Sequence, residues 1–478
     1  MLTLADIIEA LSGVRPEWAR LAITEGVIDS RQANPGCLFI ALPGEHTDGH
    51  DYVAQAFELG ASVALVHKEL PGRFMVLDLR KDQTIPEQVA KEAHFCIRVD
   101  DTLTALQRVA SFWRRSLSVS SPDLRVIGIT GSVGKSTTKE LVSEVLGQRY
   151  RTLKNPGNLN NEIGLPLTLL SLGEGHERAV LEMGFYQPGE IALLCDLALP
   201  QVGVVTNVGT VHAERAGSQA EIARGKAELV EALPPAPEGV AILNFDDPLV
   251  REMASKTRAR VFFYGMDPDA DLWADQVEGL GLDGIRFRLH HRHEVLHLRI
   301  PMIGRHSVHA ALRAAAVGLV EGLTWQEIVT GLRSQNAQLR LVAVKSETGA
   351  LILDDTYNAS PESTIAALNL LGEIEGRRVA VLGDMLELGK YEQRAHEMVG
   401  ARAAELVDEL ITVGERARII ASSARRRGLS PSVITELVDS QQAIEFLHDR
   451  LDQKDVVLVK GSRGMRMDQI VAALESRP

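Results

Sequence analysis

The residues best suited to do chemistry lie in one run, ITGSVGKST (Ile129–Thr137). Holding the phosphates of a nucleotide takes backbone N–H groups turned inward around the anion, and Gly131 and Gly134 allow that curve without a Cβ in the way. Lys135, directly after the second glycine, can reach the β- and γ-phosphates, and the Ser136 hydroxyl is placed to ligate Mg²⁺. The segment after it, KSTTKELVSEVLGQ, has a helical pattern and points its positive N-terminus at the same anion. The apolar LRVIGIT before it has the pattern of a buried strand. The general phosphate-loop pattern has Gly or Ala where Ile129 stands, so the run departs from it by one bulky residue. The motif implies a nucleotide and leaves the reaction open.

Other candidates are weaker on their own. Glu182 ends the apolar run AVLEMG, and a carboxylate at a strand end suits Mg²⁺. Lys226, in the helix-like EIARGKAEL, has by itself the position of a solvated lysine, and His212 that of a polar loop residue. Cys37, Cys96 and Cys195 are far apart, with no CxxC spacing, which supports neither a disulfide framework nor a zinc site and predicts three buried, reduced thiols. The tracts HHRH (His290–His293) and RRR (Arg425–Arg427) are expected on an exposed strand face and a solvated helix face.

The elements that must position these residues follow from periodicity. Strand-like CLFIAL (Cys37–Leu42) and SVALVH (Ser62–His67) flank a polar turn and a helix-like YVAQAFELG, and the charged stretch from Arg80 to Ala93 marks a first linker. A helical TLTALQRVASFWRRSL leads to the strand of the phosphate loop. AVLEMG, VGVVTNVG and GVAILNF then recur at spacings that admit crossover helices, the pattern of a parallel α/β sheet. Val261 to Ile300 alternates and predicts extra antiparallel strands. After a change near Asn336, ALILDDTY, RRVAVLGDM, DELITVG and DVVLVKGS resemble buried strands separated by helices, a Rossmann-like α/β domain without GxGxxG.

At 478 residues the chain has room for about three domains. With 51 basic and 64 acidic residues its net charge is −13, which argues against broad binding to nucleic acid or anionic membrane. A local basic pocket for a small anionic substrate stays open. MLTLADIIEALSG lacks the basic start and cleavage site of a signal peptide and predicts a short amphipathic helix. No run of about 18 apolar residues occurs, so a cytoplasmic location is expected, with a monomer as the default.

TGSVGKST, with Thr130 leading, resembles the form of the phosphate loop found in the Mur ligase family. LEMGFYQPGEI (Leu181–Ile191), TNVGTVHAERAGSQAEIARGKAEL (Thr206–Leu229), VLGDMLELG (Val381–Gly389) and VKGSRGMRMDQIV (Val459–Val471) are similar to further blocks of that family. KNPGNLNNEIGLPLTLL (Lys154–Leu170) and DDTYNASPES (Asp354–Ser363) resemble the branch that adds D-alanyl-D-alanine. DSRQANPGCLFIALPGEHTDGHDY (Asp29–Tyr52) resembles the family's uridine-nucleotide-binding region. The likeness runs in order through nearly the whole chain.

The resemblance implies an α/β fold of three domains: a small uridine-nucleotide-binding domain over 1–97, a central phosphate-loop domain with a parallel sheet over 98–336, and a Rossmann-like domain over 337–478. It implies an ATP-dependent amide-bond-forming ligase. Such an enzyme activates the terminal carboxylate of UDP-N-acetylmuramoyl-tripeptide as an acyl phosphate and joins it to D-Ala-D-Ala for peptidoglycan synthesis. ATP would lie on Thr130, Gly131, Ser132, Val133, Gly134, Lys135, Ser136 and Thr137, with Arg340 near the phosphates and Asp355 at the ribose. Two Mg²⁺ ions would be held by Ser136, Glu182, His212 and a carbamylated Lys226, with Lys135, Lys226 and His212 as the catalytic set. Ser30 and Arg31 would face the uracil nucleotide, and Tyr357 and Asn358 the dipeptide. Lys460, Ser462 and Arg463 have the alternative of a plain turn before a helix. Ser307 and Ala310 stand where the family usually has asparagines, which predicts altered adenine contacts or weaker ATP binding, and Ser360 also replaces a common asparagine. The alternatives are the neighbouring ligase that adds the third amino acid, whose Asp-Asn-Pro-Arg motif is absent here, a more distant folyl-polyglutamate ligase, and a catalytically degenerate nucleotide-binding scaffold. The third residue of the tripeptide, meso-diaminopimelate or L-lysine, is left open.

Overall fold

The computed structural model describes residues 1–44, 47–70, 74–80, 94–210, 213–334, 342–448 and 450–475. Most of the expected linker between Arg80 and Ala93, the change near Asn336, and the site candidates His212 and Arg340 lie outside these residues. Two compact units are distinguished. The first comprises Met1–Gly128, Tyr150–Gly184 and Glu190–Val202, and the second Ile129–Arg149, Phe185–Gly189 and Gly203–Pro478.

In the first unit the expected N-terminal helix is Leu4–Ser12. The Thr3 hydroxyl accepts the Asp6 N–H while the Asp6 carboxylate accepts the Thr3 N–H at 2.7 Å, so both orphan donors are satisfied, and Gly13 closes the helix at φ +78°. Five short strands form a sheet in the order Gly26–Val27, Leu38–Ile40, Val63–Val66, Phe95–Arg98, Val76–Asp78, all parallel. Its central strands are buried on both faces, which is why they read as unbroken apolar runs.

A nine-stranded sheet carries the phosphate loop. Its order is Glu294–Ile300, Ile285–His291, Leu272–Gly279, Arg260–Gly265, Val240–Asn244, Val202–Val205, Arg125–Thr130, Arg178–Glu182, Thr152–Lys154. The last three strands of the Val261–Ile300 segment pair antiparallel, as expected. The first, Arg260–Gly265, is instead parallel to both neighbours. The helical turns Pro248–Glu252 and Met253–Lys256 carry the chain back before it, making a crossover where alternation suggested an antiparallel strand.

In the C-terminal part of the second unit six strands are ordered Val342–Lys345, Leu351–Asp355, Asp455–Lys460, Arg377–Gly383, Glu409–Val413, Ile434–Leu437. All pair parallel except the edge hairpin Val342–Lys345 with Leu351–Asp355. Alternate strand residues feed two cores. Leu353, Ala380 and Leu458 pack with helices Pro361–Glu373, Glu392–Leu406 and Ala417–Arg426, while Ile352, Val379 and Val457 pack with Ser440–Leu447 and Asp468–Leu474. This is the doubly wound pattern, in which ligands gather at the carboxyl ends of strands.

Candidate active site

The phosphate loop is built as the sequence predicts. Gly131 has φ +145°, and a Cβ there would meet the Thr206 hydroxyl at 1.8 Å, so no other residue fits. Gly134, at φ +84°, opens helix Lys135–Leu146 without a side-chain cap, so the positive end of the helix dipole lies at the loop. Ile129 is fully buried at the end of its strand. The turn begins after it, which is why a bulky residue is tolerated there.

Neighbouring loop residues hold this curve in shape. Ser132 N–H donates to the Asn207 carbonyl (3.0 Å) and Val133 N–H to Asn207 Oδ1 (2.9 Å). The Thr206 hydroxyl donates to the Val133 carbonyl (2.7 Å), and Gly209 N–H to Ser132 Oγ (2.8 Å). Lys135 Nζ folds back to donate to the Gly131 carbonyl at 2.8 Å.

A cavity of about 380 Å³ opens from the loop. Ser132, Val133, Gly134 and Thr137 line it, together with Met302, Ile303, Ser307 and Ala310 and with Asp355, Tyr357, Asn358, Ala359 and Lys460. Asp355 and Lys460 end adjacent parallel strands in register. The Lys460 ammonium, 2% exposed, donates to Asp355 Oδ2 at 2.7 Å and to the Asn358 carbonyl at 2.9 Å. Among the residues that replace the usual asparagines, the Ser307 hydroxyl donates to the Ile303 carbonyl at 2.7 Å, keeping only its lone pairs for a base, and Ala310 offers a methyl group. His309 Nε2 is paired with Asp246 Oδ2 at 2.9 Å.

Three family models match the chain: the Mur ligase middle domain over residues 129–318, the Mur ligase glutamate ligase domain over 339–463, and the Mur ligase family catalytic domain over 23–114. The UDP-N-acetylmuramoyl-tripeptide--D-alanyl-D-alanine ligase of Bacillus subtilis is 35% identical over 482 residues, covering 100% of this chain and 99% of the relative. The chain belongs to the Mur ligase family. The Escherichia coli Mur ligase of the same description is 33% identical, over 99% of this chain and 98% of its own. Among solved Mur ligases, MurF from Acinetobacter baumannii superposes with a TM-score of 0.82 at 30% identity, covering 99% of this chain and 98% of that one.

The other site residues expected of a Mur ligase fall in several places. Lys226, in helix Gln219–Glu231, is 1% exposed rather than solvated. Its Nζ lies 4.7 Å from the centre of the Phe185 ring, and no acidic group among the described residues pairs with it. Burial, and secondarily the charge of Lys135, hold its pKa well below the usual lysine value. Glu182 is 2% exposed and accepts Asn160 Nδ2 at 2.9 Å, while Asn155 hydrogen-bonds its backbone on both sides. Ser30 is buried with its hydroxyl donating to Gln55 Oε1 at 2.7 Å, and Arg31 is exposed and forked onto Asp29. Among the described residues no three His, Cys, Asp or Glu side chains gather as a metal site. Cys37, Cys96 and Cys195 are buried thiols outside any disulfide, as expected. No described helix is long and apolar enough to cross a membrane.

Lys460, a sequence candidate with the alternative of a plain turn, is the buried partner of Asp355. One cavity residue escaped the sequence reading. Arg313 was not singled out at all, and its guanidinium reaches the Thr138 hydroxyl at 2.7 Å beside the phosphate loop. The available signal was a lone arginine in the apolar helix VHAALRAAAVGLV.

Proposed function

We propose that this Mur ligase joins D-alanyl-D-alanine to UDP-N-acetylmuramoyl-tripeptide with consumption of ATP, giving UDP-N-acetylmuramoyl-pentapeptide for peptidoglycan synthesis. The observation that carries the reading is the cavity that unites the phosphate loop with the Asp355–Lys460 pair, in a chain alike end to end to D-alanyl-D-alanine ligases. The Thermotoga maritima MurF, 26% identical over 97% of each chain, was solved with ADP, which supports a nucleotide in this cavity.

In this reading the loop amides and Lys135 grip the phosphates and stabilise the charge that develops as the γ-phosphoryl group passes to the tripeptide carboxylate. The acyl phosphate is attacked by the dipeptide amine, and the tetrahedral intermediate collapses to the amide with loss of phosphate. Asp355 takes the ribose, Tyr357 and Asn358 border the dipeptide, and Ser30 and Arg31 serve the uracil nucleotide. Arg340 adds a cation for the phosphates.

Magnesium, when bound, neutralises phosphate charge. The donors fit an ion that takes few protein ligands and several phosphate oxygens: the Ser136 hydroxyl, the Glu182 carboxylate, His212, and Lys226 once carbamylated. Carbamylation needs a neutral amine, and burial, which holds the Lys226 pKa well below the usual lysine value, favours that form. The reading includes domains at 1–97, 98–336 and 337–478 and a cytoplasmic monomer.

The test follows phosphate release from Mg-ATP and UDP-N-acetylmuramoyl-tripeptide, with and without D-Ala-D-Ala. Release that needs the dipeptide and yields a product of pentapeptide mass supports the reading. Release with single amino acids alone would move the chain to the neighbouring ligase, and ATP binding without turnover would make it a scaffold.

A further inference from the structure

Arg313 is a buried cation in want of an anion. It lies in helix Val308–Val320, 5% exposed. Its Nε donates to the Thr138 hydroxyl at 2.7 Å and its Nη1 to the Tyr264 hydroxyl at 3.4 Å. Both partners are neutral, since burial raises the pKa of the Tyr264 phenol. No carboxylate among the described residues pairs with the guanidinium. The third nitrogen, Nη2, has no hydrogen-bond partner among the described residues and lies 3.0 Å from where a Cβ on Gly134 would stand. The same residue lines the cavity together with Ser132, Gly134 and Thr137.

An ionised side chain taken out of water destabilises a fold unless an opposite charge completes it. Here the vacant arm of the fork abuts the last glycine of a phosphate loop, and a guanidinium matches phosphate oxygens in shape and charge. We propose that Arg313 is a second phosphate-binding cation of the site, completed by an oxygen of the nucleotide's phosphate chain. The bonds to Thr138 and Tyr264 aim it, and the helix that carries it is thereby tied to the loop. The proposal rests on the reading that the cavity takes ATP.

The test measures adenosine, ADP and ATP binding to the full chain by calorimetry, in buffer free of phosphate and sulfate, alongside the melting temperature without ligand. Arg313→Met is expected to weaken ADP and ATP about tenfold or more, to leave adenosine within about twofold, and to melt no lower than the wild type because an uncompensated charge is gone. Should that variant not fold, Arg313→Lys carries the same test: the charge stays but the fork is lost, so ADP and ATP weaken about threefold and adenosine does not change. Equal losses for all three ligands, or unchanged ADP and ATP affinity, would overturn the proposal and leave Arg313 as a brace for Thr138 and Tyr264. A wild-type chain that binds none of the three would sink the ATP reading itself, a separate result.

Discussion

The two ends of the cavity are built on opposite principles. At the phosphate loop basic side chains gather: Lys135 belongs to it, Arg313 faces it, and Lys226 lies near Lys135. Beyond it Lys460 is paired with Asp355, His309 is hydrogen-bonded to Asp246, and Ala310, Ala359 and Ala367 add methyl groups to a wall that also carries Tyr357, Asn358 and Glu362. An anion site can be made by leaving a cation such as Arg313 for the ligand to complete, at a cost in stability when the ligand is away.

Each prediction strains one side of that contrast. Lys135→Ala should lower phosphate release about 10²- to 10³-fold, and near-normal turnover would mean that the loop amides suffice. Asp355→Ala takes a carboxylate away from the buried Lys460 ammonium. Urea denaturation should show a loss of about 2–3 kcal/mol, the modest side of breaking a buried pair because Asp355 keeps some contact with water. No loss would show that the base end is not held by its pairs.

For Lys226 the sign follows from a folded-state pKa below the ordinary value of 10.5. The folded chain resists protonation that the unfolded chain accepts. The wild type is therefore less stable than Lys226→Met below the folded pKa, and the deficit shrinks as pH rises from there to 10.5. Melting in carbon-dioxide-free buffer checks this, and a gap that stays constant with pH would refute it. The smallest effect belongs to the base end. Ala310→Asn restores an amide and should lower the ATP Michaelis constant about three- to tenfold, the worth of one neutral hydrogen bond. No change would mean that the base is held without an edge contact from this wall.

The same contrast explains what the sequence made legible. The phosphate end is encoded locally: two glycines at positive φ, a lysine and a serine within one short run, so the run alone predicts its geometry. The parallel strands were equally plain, because burial on both faces leaves unbroken apolar runs. Lys460 and Asp355 are 105 positions apart and meet only because their strands are neighbours in register. Arg313 and Thr138 meet across 175 positions. Lys226 has the spacing of a solvated helix residue, and only the packing of Phe185 against Gly225 shows that it is inside. Alternation misled at Arg260–Gly265, where a crossover set the direction of the strand.

One feature of the C-terminal sheet bears on how the molecule comes into being. The strand Asp455–Lys460 is the last of the described strands to be made, yet it lies in the interior of its sheet, between Leu351–Asp355 and Arg377–Gly383. Until the ribosome has added residue 460, those two strands have a gap between them and Asp355 has no ammonium beside it. A growing chain can therefore finish its phosphate loop early and still lack the opposite wall of the cavity. In the order of synthesis, that wall is the part of the cavity completed last.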